Sequence, residues 1–271
     1  MKIHINYAHG AFLEAQRLCC ETAISRGGFD VSIPYGIDDL DPNFKQQNSY
    51  ILSQPRGAGY WIWKPYLILR HLHEMKEGDW LMYTDSGMHF CDNPWNWILP
   101  EEGQMGDKGI MTFGTYSTGG MWTKRDCFVL MGMDSEVVRN TPQRISSPFV
   151  CKKTPFSIAF VEEWLKYACD PRIVTDLPNT QSLPNFPEFR DHRHDQSILS
   201  LLTIKYDTYV YTKKEILNHG NKQDPCLICH GLSNPQLIAQ ERGKHVGSER
   251  PLICYMSKNK FSELGNQGEA K

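Results

Sequence analysis

The stretch Gly57–His89, GAGYWIWKPYLILRHLHEMKEGDWLMYTDSGMH, limits what this chain can fold into more than any other. It reads as loop, helix, turn, strand and acidic loop in succession. Pro65 suits a first helical turn, where its missing N–H removes no hydrogen bond. Ile68, Leu69, Leu72 and Met75 then recur on one helical face. Gly78 supplies a stop. Trp80-Leu81-Met82-Tyr83 is a short apolar run, the pattern of a strand buried on both faces. It ends in Thr84-Asp85-Ser86-Gly87. An acidic residue after the carboxyl end of a buried strand, followed by a glycine turn, stands where open α/β sheets bind ligands.

The amino-terminal region repeats the theme. Lys2–Tyr7 alternates and is β-branched at Ile3 and Ile5, so it is expected to be the first strand. Ala8-His9-Gly10 is a turn. Ala11–Arg26 is expected to be helical, with Phe12, Ala15, Cys19 and Ala23 on one face and Gly27-Gly28 as the stop. Phe29–Pro34 follows as a second strand. Strand, helix and strand in that order predict a parallel sheet with a crossover helix.

Further on, Asp38–Ser53 reads as polar loop with a short helix over Phe44–Leu52, and Asn93–Leu99 as a short helix. Gly109–Phe113 reads as a strand. Trp122–Met133 starts a helix, with Thr123 as cap and Asp126 three residues on, as in a capping box. Ser157–Cys169 is an amphipathic helix and Arg172–Thr175 is strand-like. Thr180–Asp191 is loop, Gln196–Ile204 an apolar helix, and Tyr206–Tyr211 a strand. After Asn218 the chain turns polar, helix is possible from Leu237, and the last residues should fray. With no repeat and no clear linker, a single domain is expected.

Composition excludes several classes. A net charge of −2 over 271 residues, with Lys and Arg scattered, exerts no general pull toward nucleic acid. No apolar run approaches the ~20 residues of a membrane span. MKIHINYAHG is a strand pattern and not a signal peptide, so a cytoplasmic protein is expected. Nine cysteines at irregular spacings are then expected to be free thiols. Cys226-x-x-Cys229-His230 invites a zinc reading but has no second ligand pair. The absence of GxxxxGK[ST], GxGxxG and GxSxG excludes a P-loop, a dinucleotide fingerprint and a hydrolase elbow.

Three places offer chemistry. Asp85 can hold a hard divalent cation on a nucleotide diphosphate, or it can be a turn-forming residue that caps its own backbone. His89 is either a further ligand or a loop histidine. In His192-Arg193-His194-Asp195-Gln196-Ser197, Asp195 or Ser197 can simply cap the helix that follows. The same residues can instead place a carboxylate and an amide beside a reacting centre. Lys64 lies at a helix start, where a cation opposes the macrodipole unless an anion answers it; otherwise it is a surface lysine. Trp61 and Trp63 alternate, so at least one is expected to face the core.

On RGAGYWIWKPYLIL, GDWLMYTDSG, WTKRD and HRHDQSILSLL, in that order over roughly residues 1–210, the chain resembles GT-A-type glycosyltransferases of bacteria and large DNA viruses. It is similar as well to the capsid-glycan transferases of algal chloroviruses, xylosyltransferases among them. The resemblance implies an α/β, GT-A-like, Rossmann-type mixed sheet flanked by helices. It implies a nucleotide-sugar half over about 1–115, an acceptor half over about 116–240 and an extension over 241–271. By it, Asp85 takes the place of the metal-binding Asp-x-Asp motif, with Gly87 where the second carboxylate would be. Ser86, Gly87 and Lys64 would then lie at the phosphates, and Tyr7 and Ala8 at the uracil. Asp195 and Gln196 match a DQ pair beside the reacting sugar carbon, and His230 matches a late histidine that completes the metal shell.

The activity so implied is transfer from a UDP-sugar, UDP-xylose among the candidates, to a glycan or glycoprotein hydroxyl with Mn²⁺ or Mg²⁺. Asp195 is the base if the reaction inverts, and Asp195 with Gln196 the stabiliser of an oxocarbenium-like centre if it retains. A nucleotide-sugar or phosphate-ester hydrolase and a tryptophan-rich carbohydrate-binding module are the alternatives.

Overall fold

The computed structural model describes residues 1–90 and 92–211, and the backbone of 253–255. The strands are β1 (Lys2–Tyr7), β2 (Val31–Tyr35), β3 (Trp80–Tyr83), β4 (Met88–Phe90), β5 (Ile110–Thr118), β6 (Pro142–Lys152), β7 (Tyr209–Tyr211) and β8 (Ile253–Tyr255). Six of them form one sheet in the order β2-β1-β3-β6-β5-β7, and β4 pairs with β8. β1 runs parallel to β2 and β3, β6 antiparallel to β3 and β5, and β7 parallel to β5. This is the expected mixed α/β sheet.

The main helices are α1 (Leu13–Ser25), α2 (Trp63–Glu74), α3 (Pro155–Ala168) and α4 (His194–Lys205). They cover both faces of the sheet. Ile3, Ile5, Tyr7, Leu81, Tyr83 and Phe149 point into a core with Leu67, Ile68 and Leu72 of α2, Trp164 of α3 and Leu199 of α4. Trp80, Met82 and Val150 point the other way, onto Cys19 and Ala23 of α1 and onto Phe29, Phe90 and Trp95. The period-2 alternation of β3 thus serves two cores, which is why its sequence is apolar throughout. Each fully buried Leu, Ile or Phe contributes roughly 1.5–3 kcal/mol. Among the described residues, no helix is long and apolar enough to cross a membrane.

Several elements differ from expectation. Phe12 lies in a 3₁₀ turn ahead of α1 and is 49% exposed, so it is not on the buried face. Phe44–Leu52 is two short helices, Pro42–Gln47 and Ser49–Leu52, joined at Asn48. Arg172–Thr175 is no strand: Pro171–Val174 is a helical turn with proline at its start and the Asp170 side chain as cap. Thr123 is extended and does not cap, and the helix begins at Arg125. Asp126 instead accepts bonds from the backbone N–H groups of Thr180 and Gln181, tying down the proline-bearing loop. Only Tyr209–Tyr211 of the last predicted strand pairs. Ile253–Tyr255 is a strand against Met88–Phe90 where helix was expected.

β6 has no counterpart in the sequence reading, and it matters most for the site. The chain goes from β1 outward to β2, then returns to β3 on the other side of β1. The resulting crevice beyond the carboxyl ends of β1 and β3 is the usual ligand position of an open sheet. β6 is antiparallel to β3 with Tyr83 opposite Phe149, so its earlier residues run on past the end of β3.

Candidate functional site

Gly57–Trp61 enters α2 through a left-handed turn. Five successive residues have positive φ: Gly57 (59°), Ala58 (48°), Gly59 (96°), Tyr60 (51°) and Trp61 (60°). Three of these are not glycine, so the turn is strained and must be held by its surroundings. The Trp63 indole N–H donates to the Gly57 carbonyl at 3.1 Å. Arg56, just before the turn, pairs with Asp191 at 2.5 Å and with Asp176 at 3.1 Å. Tyr60 and Trp61 pack their rings on His194, with centroids 4.7 and 5.6 Å away. The two motifs, far apart in sequence, therefore brace each other.

Lys64 is the second residue of α2, and it is 2% exposed rather than a surface lysine. Its Nζ donates to Asp195 Oδ2 at 2.7 Å and to Ser146 Oγ at 2.9 Å, and it lies 3.8 Å from Asp85 Oδ1. The cation that opposes the helix dipole is answered by two carboxylates of the protein itself. Asp85 is held in turn: the Tyr83 hydroxyl donates to its Oδ1 at 2.9 Å, and its own N–H donates to Ser147 Oγ at 2.7 Å. The Met88 N–H donates to the Asp85 carbonyl at 3.0 Å, closing a turn across Ser86 and Gly87. Asp85 thus opens a turn, yet its carboxylate does not cap the local backbone and faces Lys64 instead. That side chain is 37% exposed, against 4% for Asp195.

Asp195 does not cap α4. It lies in the first turn, after Arg193, and its carbonyl accepts the Trp164 indole N–H at 3.1 Å. Burial pushes its carboxyl above the usual carboxylate range, against the pull of Lys64 and Ser146. His192 and His194 are buried as well, bonded through Nε2 and Nδ1 to the carbonyls of Ile173 (2.8 Å) and Val174 (2.7 Å). Burial holds His192 well below its ordinary range and His194 down to about 4. A stretch that reads as solvated charge is a buried anchor. Gln196 turns elsewhere: its amide donates to Gln143 Oε1 at 3.0 Å, and Gln143 donates to the Trp122 carbonyl and to the Thr123 and Ser197 hydroxyls.

Tyr7 closes the cluster on the β1 side. Its ring stacks on Trp63, with centroids 3.9 Å apart. Trp63 is therefore the tryptophan that faces the core. The Tyr7 hydroxyl is buried without a partner among the described residues, and burial, with Asp38 and Asp39 nearby, pushes it up to about 12. The Ala8 N–H is spent on the Tyr35 carbonyl at 3.0 Å. His89 belongs to β4, with its Nδ1 buried and without a partner among the described residues. His230, like Cys226 and Cys229, lies outside the described residues. Ser146 and Ser147 join the site unannounced by any motif, and Tyr83 and Arg56, which lie within quoted motifs, join it in roles the sequence did not single out. The only signal for the serines is a small polar pair, Ser146-Ser147, set against the apolar Phe149-Val150-Cys151.

Among the described residues, no group of three or more His, Cys, Asp or Glu side chains gathers as a ready ligand shell. One partly exposed carboxylate does fit a hard divalent cation that takes its remaining oxygens from a bound phosphate and from water. Asp85 meets that requirement.

No family model matches this sequence. No curated protein matches it either. Among solved structures, mouse xyloside xylosyltransferase 1 in its apo form is similar, with a TM-score of 0.46 and 10% identity, over 95% of this chain and 97% of that one.

Proposed function

We propose that the protein is a glycosyltransferase that moves a sugar from a nucleoside-diphosphate sugar, a UDP-sugar, to a glycan hydroxyl. The observation that supports this reading best is the buried Lys64 between Asp85 and Asp195, at the ligand end of the sheet. One ammonium against two carboxylates leaves the cluster with an excess negative charge. A diphosphate approaching it needs a counter-charge. Mn²⁺ or Mg²⁺, held by Asp85, would supply one and neutralise the leaving diphosphate.

The remaining roles belong to the chain. Lys64 offers a fixed donor beside the phosphates. Asp195 and Ser146 orient that ammonium. A carboxylate already engaged by an ammonium is a weak proton acceptor. This favours, for Asp195, steadying an oxocarbenium-like sugar over acting as general base, and Gln196, whose amide nitrogen is held by Gln143, can add only its carbonyl oxygen to that role. Tyr7 and Ala8 line the nucleoside end, and Ser86 with Gly87 the diphosphate turn. UDP-xylose is among the donors that the sequence resemblance implies.

The test is a panel of UDP-sugars, UDP-xylose included, with Mn²⁺, following UDP release and sugar transfer. One donor should be consumed, EDTA should lower the rate, and Asp85→Ala should cost about 10²-fold or more. Full activity of Asp85→Ala would remove the metal role. Failure to consume any donor, together with no metal-dependent UDP binding by calorimetry, would remove the transferase reading.

A further inference from the structure

A groove of about 490 Å³ opens between the carboxyl end of α4, the start of β6 and β7. Arg144, Thr203, Thr208 and Tyr209 line it, with Gln104, Thr141 and Asp207 at its polar margin. Thr203 stands eight residues after Asp195 on α4, about 12 Å along the helix. None of its lining residues belongs to the Lys64 cluster.

Two residues that line it each carry a buried donor with no acceptor among the described residues. The Nε of Arg144 is fully buried and unpartnered, and so is the hydroxyl of Thr208, a residue only 5% exposed. The guanidinium donates instead from Nη1 to the Pro142 carbonyl. Among the described residues no carboxylate forms an ion pair with Arg144, although burial disfavours its charged form. Asp207 reaches the same groove but is exposed and leaves Arg144 unpaired. Lys108 adds a second cation behind that rim, donating to the carbonyls of Tyr206 (2.8 Å) and Asp207 (2.6 Å).

Guanidinium groups stay charged in proteins, and a buried charge without a partner is costly. Buried donors are almost always satisfied, so two orphans on residues that line one groove point to an acceptor that arrives from outside. We propose that this groove binds an oxyanion, a carboxylate or phosphate group carried on a molecule of sugar size. Arg144 supplies the charge and Thr208 a second hydrogen bond. The volume exceeds what a bare oxyanion needs and falls in the range of small-molecule sites. The inference does not rest on the transferase reading.

The experiment is calorimetric titration of the full chain with sodium glucuronate, with inorganic phosphate and with glucose, at constant ionic strength. Wild type, Arg144→Gln and Thr208→Val are compared, each checked for native circular dichroism. Glucuronate, phosphate or both should bind the wild type, and glucose should bind no better to it than to the variants. Arg144→Gln should weaken anion binding roughly tenfold to a hundredfold, and Thr208→Val severalfold. Binding of glucuronate alone identifies a carboxylated sugar, and binding of phosphate alone a phosphate group. The proposal fails if neither anion binds the wild type, or if Arg144→Gln leaves both affinities unchanged. If Arg144→Gln does not fold, an unchanged affinity in folded Thr208→Val overturns it.

Discussion

Lys64→Met removes the ammonium and keeps most of the stem. It leaves the Asp195 carboxylate, whose side chain is 4% exposed, without its partner at 2.7 Å. Breaking a buried ion pair from one side costs about 3–5 kcal/mol, because the remaining charge stays desolvated. Asp195→Asn should cost less, since Lys64 keeps Asp85 at 3.8 Å. The double variant Lys64→Met/Asp195→Leu should recover part of the loss, because no charge is stranded. The deficit of Lys64→Met should also depend on pH in a definite direction. An unpaired, buried Asp195 has a folded-state pKa above its ordinary 3.8. Its contribution to stability is then fully present below 3.8 and is lost as pH rises through the folded value. The gap to wild type should therefore narrow as pH falls toward 4. Equilibrium urea unfolding of the four proteins at pH 7 and at pH 4.5 measures all of this. A loss below about 1 kcal/mol at pH 7, the value of an exposed pair, would refute the reasoning. So would a deficit that widens in acid.

Two further predictions concern the scaffold. Burial lowers His4 to about 3 and His194 to about 4, so both are neutral in the folded protein at pH 6.5, where the unfolded chain begins to take up protons. Stability should fall as pH drops from about 6.5 toward 4, by up to about 3–4 kcal/mol per histidine; a flat urea midpoint across that range would count against it. Gly59 has φ +96°, and a Cβ there would lie 2.8 Å from Leu52 Cα and 3.3 Å from the Ile51 carbonyl. Gly59→Ala should cost about 1–3 kcal/mol, whereas Gly103→Ala, with nothing within 4 Å, should be neutral or stabilising. Equal melting temperatures for the two variants would contradict the strained turn.

The parts legible in the sequence are those whose signal is local. Lys2–Tyr7 and Trp80–Tyr83 are strands over those same residues, because alternation in one and a continuous apolar run in the other each have a short-range cause. α2 begins two residues before the proline that announces it. The site was legible only in halves. Asp85 at its strand end and Asp195 before an apolar helix could be singled out, and Lys64 could be seen to need an anion. That the anion is Asp195, 131 residues away, is a tertiary fact with no local trace. The polar run His192–Asp195 looks solvated because its partners are backbone carbonyls of Ile173 and Val174, which no side-chain pattern reveals.

β6 failed to show itself for a physical reason that bears on function. Pro142 and Pro148 cannot donate to a ladder, and Ser146-Ser147 breaks the alternation, so the run resembles loop. Yet this strand is where the sheet reverses direction, between β3 and β5. The reversal sends its amino-terminal half to the same edge as the carboxyl ends of β1 and β3. A parallel strand in that place would put the six residues from Pro142 to Ser147 at the opposite edge, about 20 Å of extended chain from where they now act. Ser146 could not then reach Lys64, nor Ser147 the Asp85 N–H. The feature that hides β6 in the sequence, two hydroxyls amid strand-forming residues, is the one that holds Lys64 and Asp85, two of the three charged residues of the site.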